Sequence, residues 1–459
     1  MKLSTAPANL PDVSRTTNEN KAYAWYFAAI SAVYLIIAAG LAVRVKWGVM
    51  DEDFHLESSK PFAQFGINYT TLYNHVPPTG VSSHFWFAFW LWLFPGIDYI
   101  GLRLITCAGL ALLVGLIYFY LRTISVDSQR KILGASLFML AFPYFFLSVS
   151  TVMTEGPSYI FLFASLLILA VSRLRQLPLF FLACVLLGCT TVSRFYFIPL
   201  LPALFVVLFV ADWEQYNQQG AVNELGRKLL RYLFIAVGIL PLVGLAIIWG
   251  GLTPPAFHQW SKLRSGISFN TFRPLSTFIL IGIYVAPIVL VNVYWKAKGL
   301  LRSVGIGVAV ALILALVNVN LFHDSSSVND VTSGPVEHTL AWLISRGELA
   351  YRAGLFMFYS LSFISMAVII PWIVDFVKAK DYSDKALVYS IAFVVLFVIS
   401  QAFVGGNHPF FERYLTHPWP FLGYILVCMF PRFLTTRTYL ALGVFTVFSV
   451  FMLIKWGVQ

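Results

Sequence analysis

The chain has 459 residues, of which 59% are hydrophobic, 17% aromatic and only 11% charged, with a formal net charge of +11. Its mean hydropathy is +0.79. These proportions exclude a soluble globular domain and a disordered chain, and they match a polytopic membrane protein.

Apolar stretches long enough to cross a bilayer core of about 30 Å fall at 23–44, 100–121, 132–150, 157–172, 178–193, 197–211, 232–251, 275–295, 303–322, 350–376, 385–404, 418–431 and 438–455. Lipid cannot satisfy loose backbone N–H and C=O groups, so these runs are predicted to be helices. The expected fold class is all-α, with about thirteen transmembrane helices (11–13) in one membrane-integral domain over 23–459, behind a polar tail at 1–22. The tail lacks the features of a cleavable signal peptide, so the first stretch is expected to remain as an anchor.

Of the 31 Lys and Arg residues, 19 fall on one side of this plan. The positive-inside rule then makes the amino terminus cytoplasmic and puts all eight histidines in outer loops or at outer span ends. Topology and anionic headgroups account for the net charge, and no nucleic-acid partner is implied. Cys107, Cys184, Cys189 and Cys428 lie inside the predicted spans, where free cysteine behaves as a small apolar residue.

The first outer loop, 45–99, carries the densest chemistry. Only 20 acidic residues exist in the chain, and Asp51, Glu52 and Asp53 stand together, followed by His55. A carboxylate held partly desolvated at a bilayer surface gains proton affinity and suits general-base work, whereas a solvated loop is the alternative. Adjacent side chains diverge, so only one of the three acids can face a reacting group while its neighbours bind substrate or backbone.

Further along, Asn74-His75-Val76-Pro77-Pro78-Thr79-Gly80 reads either as the rigid rim of a pocket or as an ordinary turn. The aromatic run His84–Phe94 reads as a helix in the headgroup layer or as an extension of the next span. Asn68-Tyr69-Thr70 is a formal N-glycosylation triplet.

Beyond this loop, Glu155 stands at the start of a span, either as a charge favoured by the helix dipole or as a pocket acid. Arg194 and Arg413, the latter beside Tyr414, stand at outer span ends, where a guanidinium either binds phosphate through its planar donor fork or snorkels to the headgroups. Arg103, Lys262, Arg264 and Arg273 are secondary cations of the same kind, and His417 could meet sugar hydroxyls. His55 and His75 with a carboxylate could ligate a divalent metal, yet the spacing matches no defined metal site, so no metal and no other cofactor is expected.

In order, Asp51-Glu52, His75-Val76-Pro77-Pro78, the run 84–94, Arg103-Leu104, Thr154-Glu155-Gly156-Pro157, Ser193-Arg194-Phe195 and Glu412-Arg413-Tyr414-Leu415 resemble the plan of polytopic glycosyltransferases of the GT-C superfamily. Met50-Asp51-Glu52-Asp53-Phe54-His55 is locally similar to the eukaryotic enzyme that adds the terminal α-1,2-glucose to the dolichol-linked glycan, and the whole plan to bacterial lipid A and protein O-mannosyl transferases. The resemblance implies an inverting transfer from a polyprenyl-phosphate sugar to a glycolipid, glycan or protein acceptor at the outer face. Asp51 takes the position of the family's catalytic acid, with Glu52 orienting acceptor or sugar. Asp53, His55, His75, Glu155, Arg194, Arg413 and Tyr414 are the substrate-binding candidates. A bacterial inner membrane is the expected compartment and the endoplasmic reticulum the alternative. A transporter or flippase, or a non-catalytic envelope-assembly subunit, are the competing readings; the first predicts repeats and midplane charges, the second tolerance of Asp51→Asn.

Overall fold

The computed structural model describes residues 13–44, 51–77, 79–124, 129–142, 144–145, 149, 151–172, 174–219, 224–257, 269–293, 299–322, 334–380, 382–403, 412–430 and 435–458. Among them the regular structure is helical, with no strand. In chain order the helices are α1 (Val13–Arg44), α2 (Glu52–Phe65), α3 (Tyr69–Tyr73), α4 (Val81–Leu93), α5 (Tyr99–Ile124), α6 (Gln129–Ala141), α7 (Glu155–Ser172), α8 (Leu177–Ser193) and α9 (Leu200–Gln219). They continue with α10 (Leu225–Trp249), α11 (Phe272–Asn292), α12 (Leu300–Leu316), α13 (Pro335–Ile344), α14 (Glu348–Ala379), α15 (Lys385–Ser400), α16 (Trp419–Met429) and α17 (Thr436–Val458).

Each apolar stretch read from the sequence overlaps a helix among the described residues, and the protein is a polytopic integral membrane protein. Among the described residues, seven segments, in α1, α5, α7, α9, α10, α11 and α14, are long and apolar enough to cross a bilayer; α6, α8, α12, α15 and α16 are apolar but shorter. Within the stretches expected at 132–150 and 418–431, α6 has 13 residues and α16 has 11, and Tyr144, Phe145 and Val149 are again helical beyond α6. Pro143 follows α6 almost at once and Pro431 follows Phe430, and a proline disfavours helix in the residue before it.

Helix ends sort into two faces. On one, the Trp249 indole closing α10 donates to Leu72 O (2.8 Å), Arg273 near the start of α11 donates to the Tyr196 hydroxyl (2.9 Å), and Asn270 N reaches Ala402 O (2.9 Å). On the other, Lys385 at the start of α15 meets Glu214 (2.7 Å), and Tyr424, midway along α16, donates to Asp384 (3.0 Å). Consecutive long helices therefore alternate in direction, as crossings joined by short connections must.

Small residues set how closely the helices approach. A Cβ on Gly188 of α8 would lie 2.3 Å from Gly238 O of α10, and one on Gly282 of α11 would lie 2.3 Å from Ser362 Oγ of α14. In a bilayer, where lipid tails are as apolar as leucine, such backbone contact supplies the packing that water would otherwise drive.

The first outer loop folds as α2, α3 and α4. Helix α4 is separate from α5, broken around Gly96 at φ +90°, and it leaves Phe89 and Trp92 more than half exposed, as an interfacial helix requires. Its polar end is locked down: Ser83 donates to Thr154 O (2.8 Å), the Ser83 and Ser193 hydroxyls bond each other, and Ser82 donates to Cys189 O (2.5 Å). Asn68 caps α3, accepting from Thr71 N at 3.0 Å while its amide donates to Phe65 O at 3.0 Å.

The interval 323–349, between two of the predicted spans, is polar enough in sequence to be expected as an outer segment. Of its residues, 323–333 lie outside the described residues, and 335–344 form α13. Its first backbone groups, Val336 N and Glu337 N, donate to the Glu412 carboxylate (3.3 and 2.9 Å), which also accepts from the Tyr284 hydroxyl. Tyr284 is twelve residues into α11, about 18 Å along a helix rising about 1.5 Å per residue. Leu340 and Leu343, toward the other end of α13, lie beside Gly354 near the start of α14. The start of α13 is thus buried beside the middle of α11, where the Glu412 carboxylate satisfies its helix-end N–H groups.

Candidate active site

Asp51 and Glu52 open α2, where successive side chains turn about 100° apart around the axis. They diverge accordingly. Glu52 is fully buried: Arg103 Nε donates to its two oxygens at 2.9 and 3.1 Å, and Val152 N donates to Oε1 at 2.8 Å. This pins α2 to α5 and to the segment before α7. Arg103, a secondary phosphate candidate in the sequence reading, is 2% exposed and committed to this pair. Asp53 is exposed and accepts from the Tyr99 hydroxyl.

The Asp51 side chain instead keeps 46% of its surface open, and its Oδ2 lies 3.6 Å from Arg413 Nη1. Arg413 sits in a 3₁₀ turn, Glu412–Thr416, that the Glu412 cap of α13 anchors from behind. Its guanidinium lies 5.2 Å from the Tyr414 ring centroid. On the neighbouring elements, Arg194, which closes α8, pairs with Glu155, which opens α7 (2.6 Å). Tyr196 bridges the two groups, its ring 4.4 Å from that of Tyr414 and its hydroxyl accepting from Arg273.

A line of three buried histidines adjoins this cluster. His75 Nδ1 meets Pro77 O at 2.9 Å, His75 Nε2 meets His84 Nδ1 at 2.8 Å, and His84 Nε2 meets His55 Nδ1 at 3.0 Å. Gly80 makes room for it: the residue adopts φ +95°, and a Cβ there would lie 2.8 Å from His84 Cε1. Helix α4 thus contributes His84, which the sequence reading left without a role; nothing in a lone histidine ahead of an aromatic run announces a partner on each side.

Electrostatics bind these groups into one site. Burial, aided by Arg194, pushes the His55 imidazole down to about 4 against the opposite pull of Glu155 and Asp51. Burial also lowers His75 and His417 to about 4, and His84 well below the ordinary histidine value. For Tyr414, burial pushes the phenol up, but the charges of Arg413, Arg194 and Arg273 outweigh it and the net shift is downward. Three guanidinium groups and two carboxylates, Asp51 and Glu155, act on these residues, leaving one positive charge among them.

Four polar atoms in this group, Arg194 Nε, Arg413 Nε, His55 Nε2 and His417 Nε2, are buried with no hydrogen-bond partner among the described residues. Buried polar groups are ordinarily paired, so their concentration in one place marks a site shaped for a polar ligand.

The structure therefore brings together Asp51, His55, Glu155, Arg194, Arg413 and Tyr414, with His75 reaching them through His84. It sets Glu52 and Asp53 apart. Arg273 and His417 belong to the assembled site, whereas Lys262 and Arg264 lie outside the described residues. Among the described residues no group of three or more His, Cys, Asp or Glu side chains is arranged to hold a metal.

No protein-family model matches the chain, and no curated protein does. Among solved structures it is similar to ArnT from Cupriavidus metallidurans in the apo state, with 14% identity and a TM-score of 0.32 over 76% of this chain and 77% of that one. The same ArnT bound to undecaprenyl phosphate gives 14% identity and a TM-score of 0.32 over 75% and 77%.

Proposed function

We propose that this protein is a membrane-integral, inverting glycosyltransferase that moves a sugar from a polyprenyl-phosphate carrier to an acceptor hydroxyl at the face carrying Asp51. The observation that carries this reading is the half-open Asp51–Arg413 pair, set among guanidinium N–H groups that lack partners. A polyprenyl-phosphate sugar is a phosphodiester with one negative charge, matching the single excess positive charge of the cluster.

At rest, Arg413 steadies the Asp51 carboxylate. A phosphate arriving from the lipid competes for the same guanidinium, and a carboxylate deprived of its cation gains proton affinity, which suits it to act as base. The acceptor oxygen then bonds to the anomeric carbon and its proton passes to Asp51. The bond from that carbon to the phosphate oxygen breaks, and the electron pair leaves with the phosphate. The second negative charge on the departing polyprenyl phosphate is held by Arg413 and Arg194, whose forks fit phosphate oxygens. Glu155 keeps Arg194 in position.

Glu52 serves here as a structural staple rather than a substrate group. With the amino end cytoplasmic, as its basic loops favour, the site faces the periplasm of a bacterial inner membrane; in a eukaryotic cell it would face the lumen of the endoplasmic reticulum. The acceptor is a glycolipid, an envelope glycan or a protein.

The test is release of polyprenyl phosphate from a radiolabelled polyprenyl-phosphate hexose or pentose by purified protein in nanodiscs. No release from any donor, with any acceptor class, would count against the enzyme and favour a non-catalytic role.

A further inference from the structure

The histidine line has a direction. The Pro77 carbonyl can only accept, so His75 Nδ1 must carry the proton that bonds it. In a neutral imidazole the other nitrogen is then a bare acceptor, which obliges His84 Nδ1 to donate to His75 Nε2. The same step repeats, and His55 Nδ1 donates to His84 Nε2. Only His55 Nε2 remains, a lone pair, buried and without a partner among the described residues. Burial keeps the rings neutral, as the assignment requires.

His55 lies one turn beyond Asp51, its N–H bonded to Asp51 O at 2.9 Å, and the charges of Arg194, Glu155, Asp51 and Arg413 act on it. Around it the arginines supply donors only, and the carboxylates are drawn toward those arginines.

We infer that His75 and His84 are positioning residues that fix His55 Nε2 as an acceptor, and that His55 binds a hydroxyl hydrogen of a sugar in the site. This deepens the glycosyltransferase reading and rests on it. The ligand chemistry is a hydroxyl donor, carried either by the lipid-linked sugar or by the acceptor.

Nitrogen-15 solid-state NMR on full-length protein labelled at histidine and arginine, in nanodiscs, tests the inference. In the resting protein all three rings should be neutral with the proton on Nδ1; a protonated Nε2 on His55 overturns it. Farnesyl phosphate and farnesyl-phosphate hexose are then added separately. A shift of His55 Nε2 with the hexose but not with farnesyl phosphate assigns the hydroxyl to the donor sugar. A shift appearing only when a methyl glycoside joins farnesyl phosphate assigns it to the acceptor.

If Arg413 responds and His55 stays unmoved in every case, the inference fails while the phosphate site stands. If neither responds, the glycosyltransferase reading fails with it.

Two variants separate positioning from packing. His55→Asn retains a donor toward His84 through its amide nitrogen but places no acceptor at the Nε2 position, and should raise KM for the sugar-bearing ligand about tenfold without altering farnesyl phosphate binding. His75→Phe removes the acceptor that His84 needs, and should introduce Nε2 protonation at His84 and His55. Unchanged tautomers in His75→Phe would show that the line does not set the direction.

Discussion

Asp51 and Glu52 are neighbours of the same chemical type, each facing an arginine, and the structure treats them in opposite ways. Glu52 is closed on every side: its oxygens are shared between the Arg103 guanidinium and Val152 N, and neither partner leaves water a way in. Asp51 is open, its arginine is a longer 3.6 Å away, and that arginine still has a buried N–H without a partner. A saturated ion pair holds helices together; an unsaturated one has capacity left for a ligand.

The sharpest way to break this comparison is to neutralise each acid in turn. Asp51→Asn should lower turnover about 10²–10⁴-fold, the range general-base catalysis supplies, with unchanged thermal unfolding. Activity within a few-fold of wild type would remove Asp51 from the chemistry. Arg103→Ala should show the reverse pattern, a loss of about 3–5 kcal/mol of stability, because Glu52 is left charged in the interior without its cation. Denaturation in detergent measures it, and an undiminished transition would mean that the staple is not one.

Arg413→Lys tests the open pair more finely. Lysine preserves the charge but not the fork, so donor affinity should fall about tenfold, about 1.4 kcal/mol, and Arg413→Ala should fall further. Equal affinities in all three proteins would reduce Arg413 to a headgroup contact.

Acid should act on the histidine line next. His55 and His75 bind protons in the folded protein only near pH 4, whereas in the unfolded chain they do so near the ordinary 6.5. Between those values the unfolded state holds more protons, so their contribution to stability is intact above about 6.5 and declines as the pH falls toward 4. Melting curves from pH 7 to 4 should show this decline, and His75→Phe should flatten it. Far from both pairs, Gly188→Ala should cost about 1–3 kcal/mol by overpacking α8 against α10, without a change in KM.

The helices were legible because the hydrocarbon core imposes a length and a composition that a window of sequence displays directly. Asp51, Arg194 and Arg413 stood out for a related reason, since ionised groups near lipid are scarce. The pairings were not legible. Nothing near Glu52 names Arg103 as its partner, and nothing near Arg413 names Asp51; both follow from how separate helices end at one face. His84 was hidden by its aromatic neighbours, and α13 by a polar setting that suggested an outer loop. Its burial depends on Glu412, remote in the chain, whose carboxylate substitutes for solvent at the helix start.

That carboxylate has a mechanical meaning as well. Glu412 and Arg413 share a peptide bond, one side chain clamped to the buried start of α13 and the other meeting Asp51. On the proposed reading, a lipid phosphate drawing on Arg413 would pull against a fixed post. The load would pass to α13 and the helices it leans on, so the cation would keep its aim instead of following its cargo.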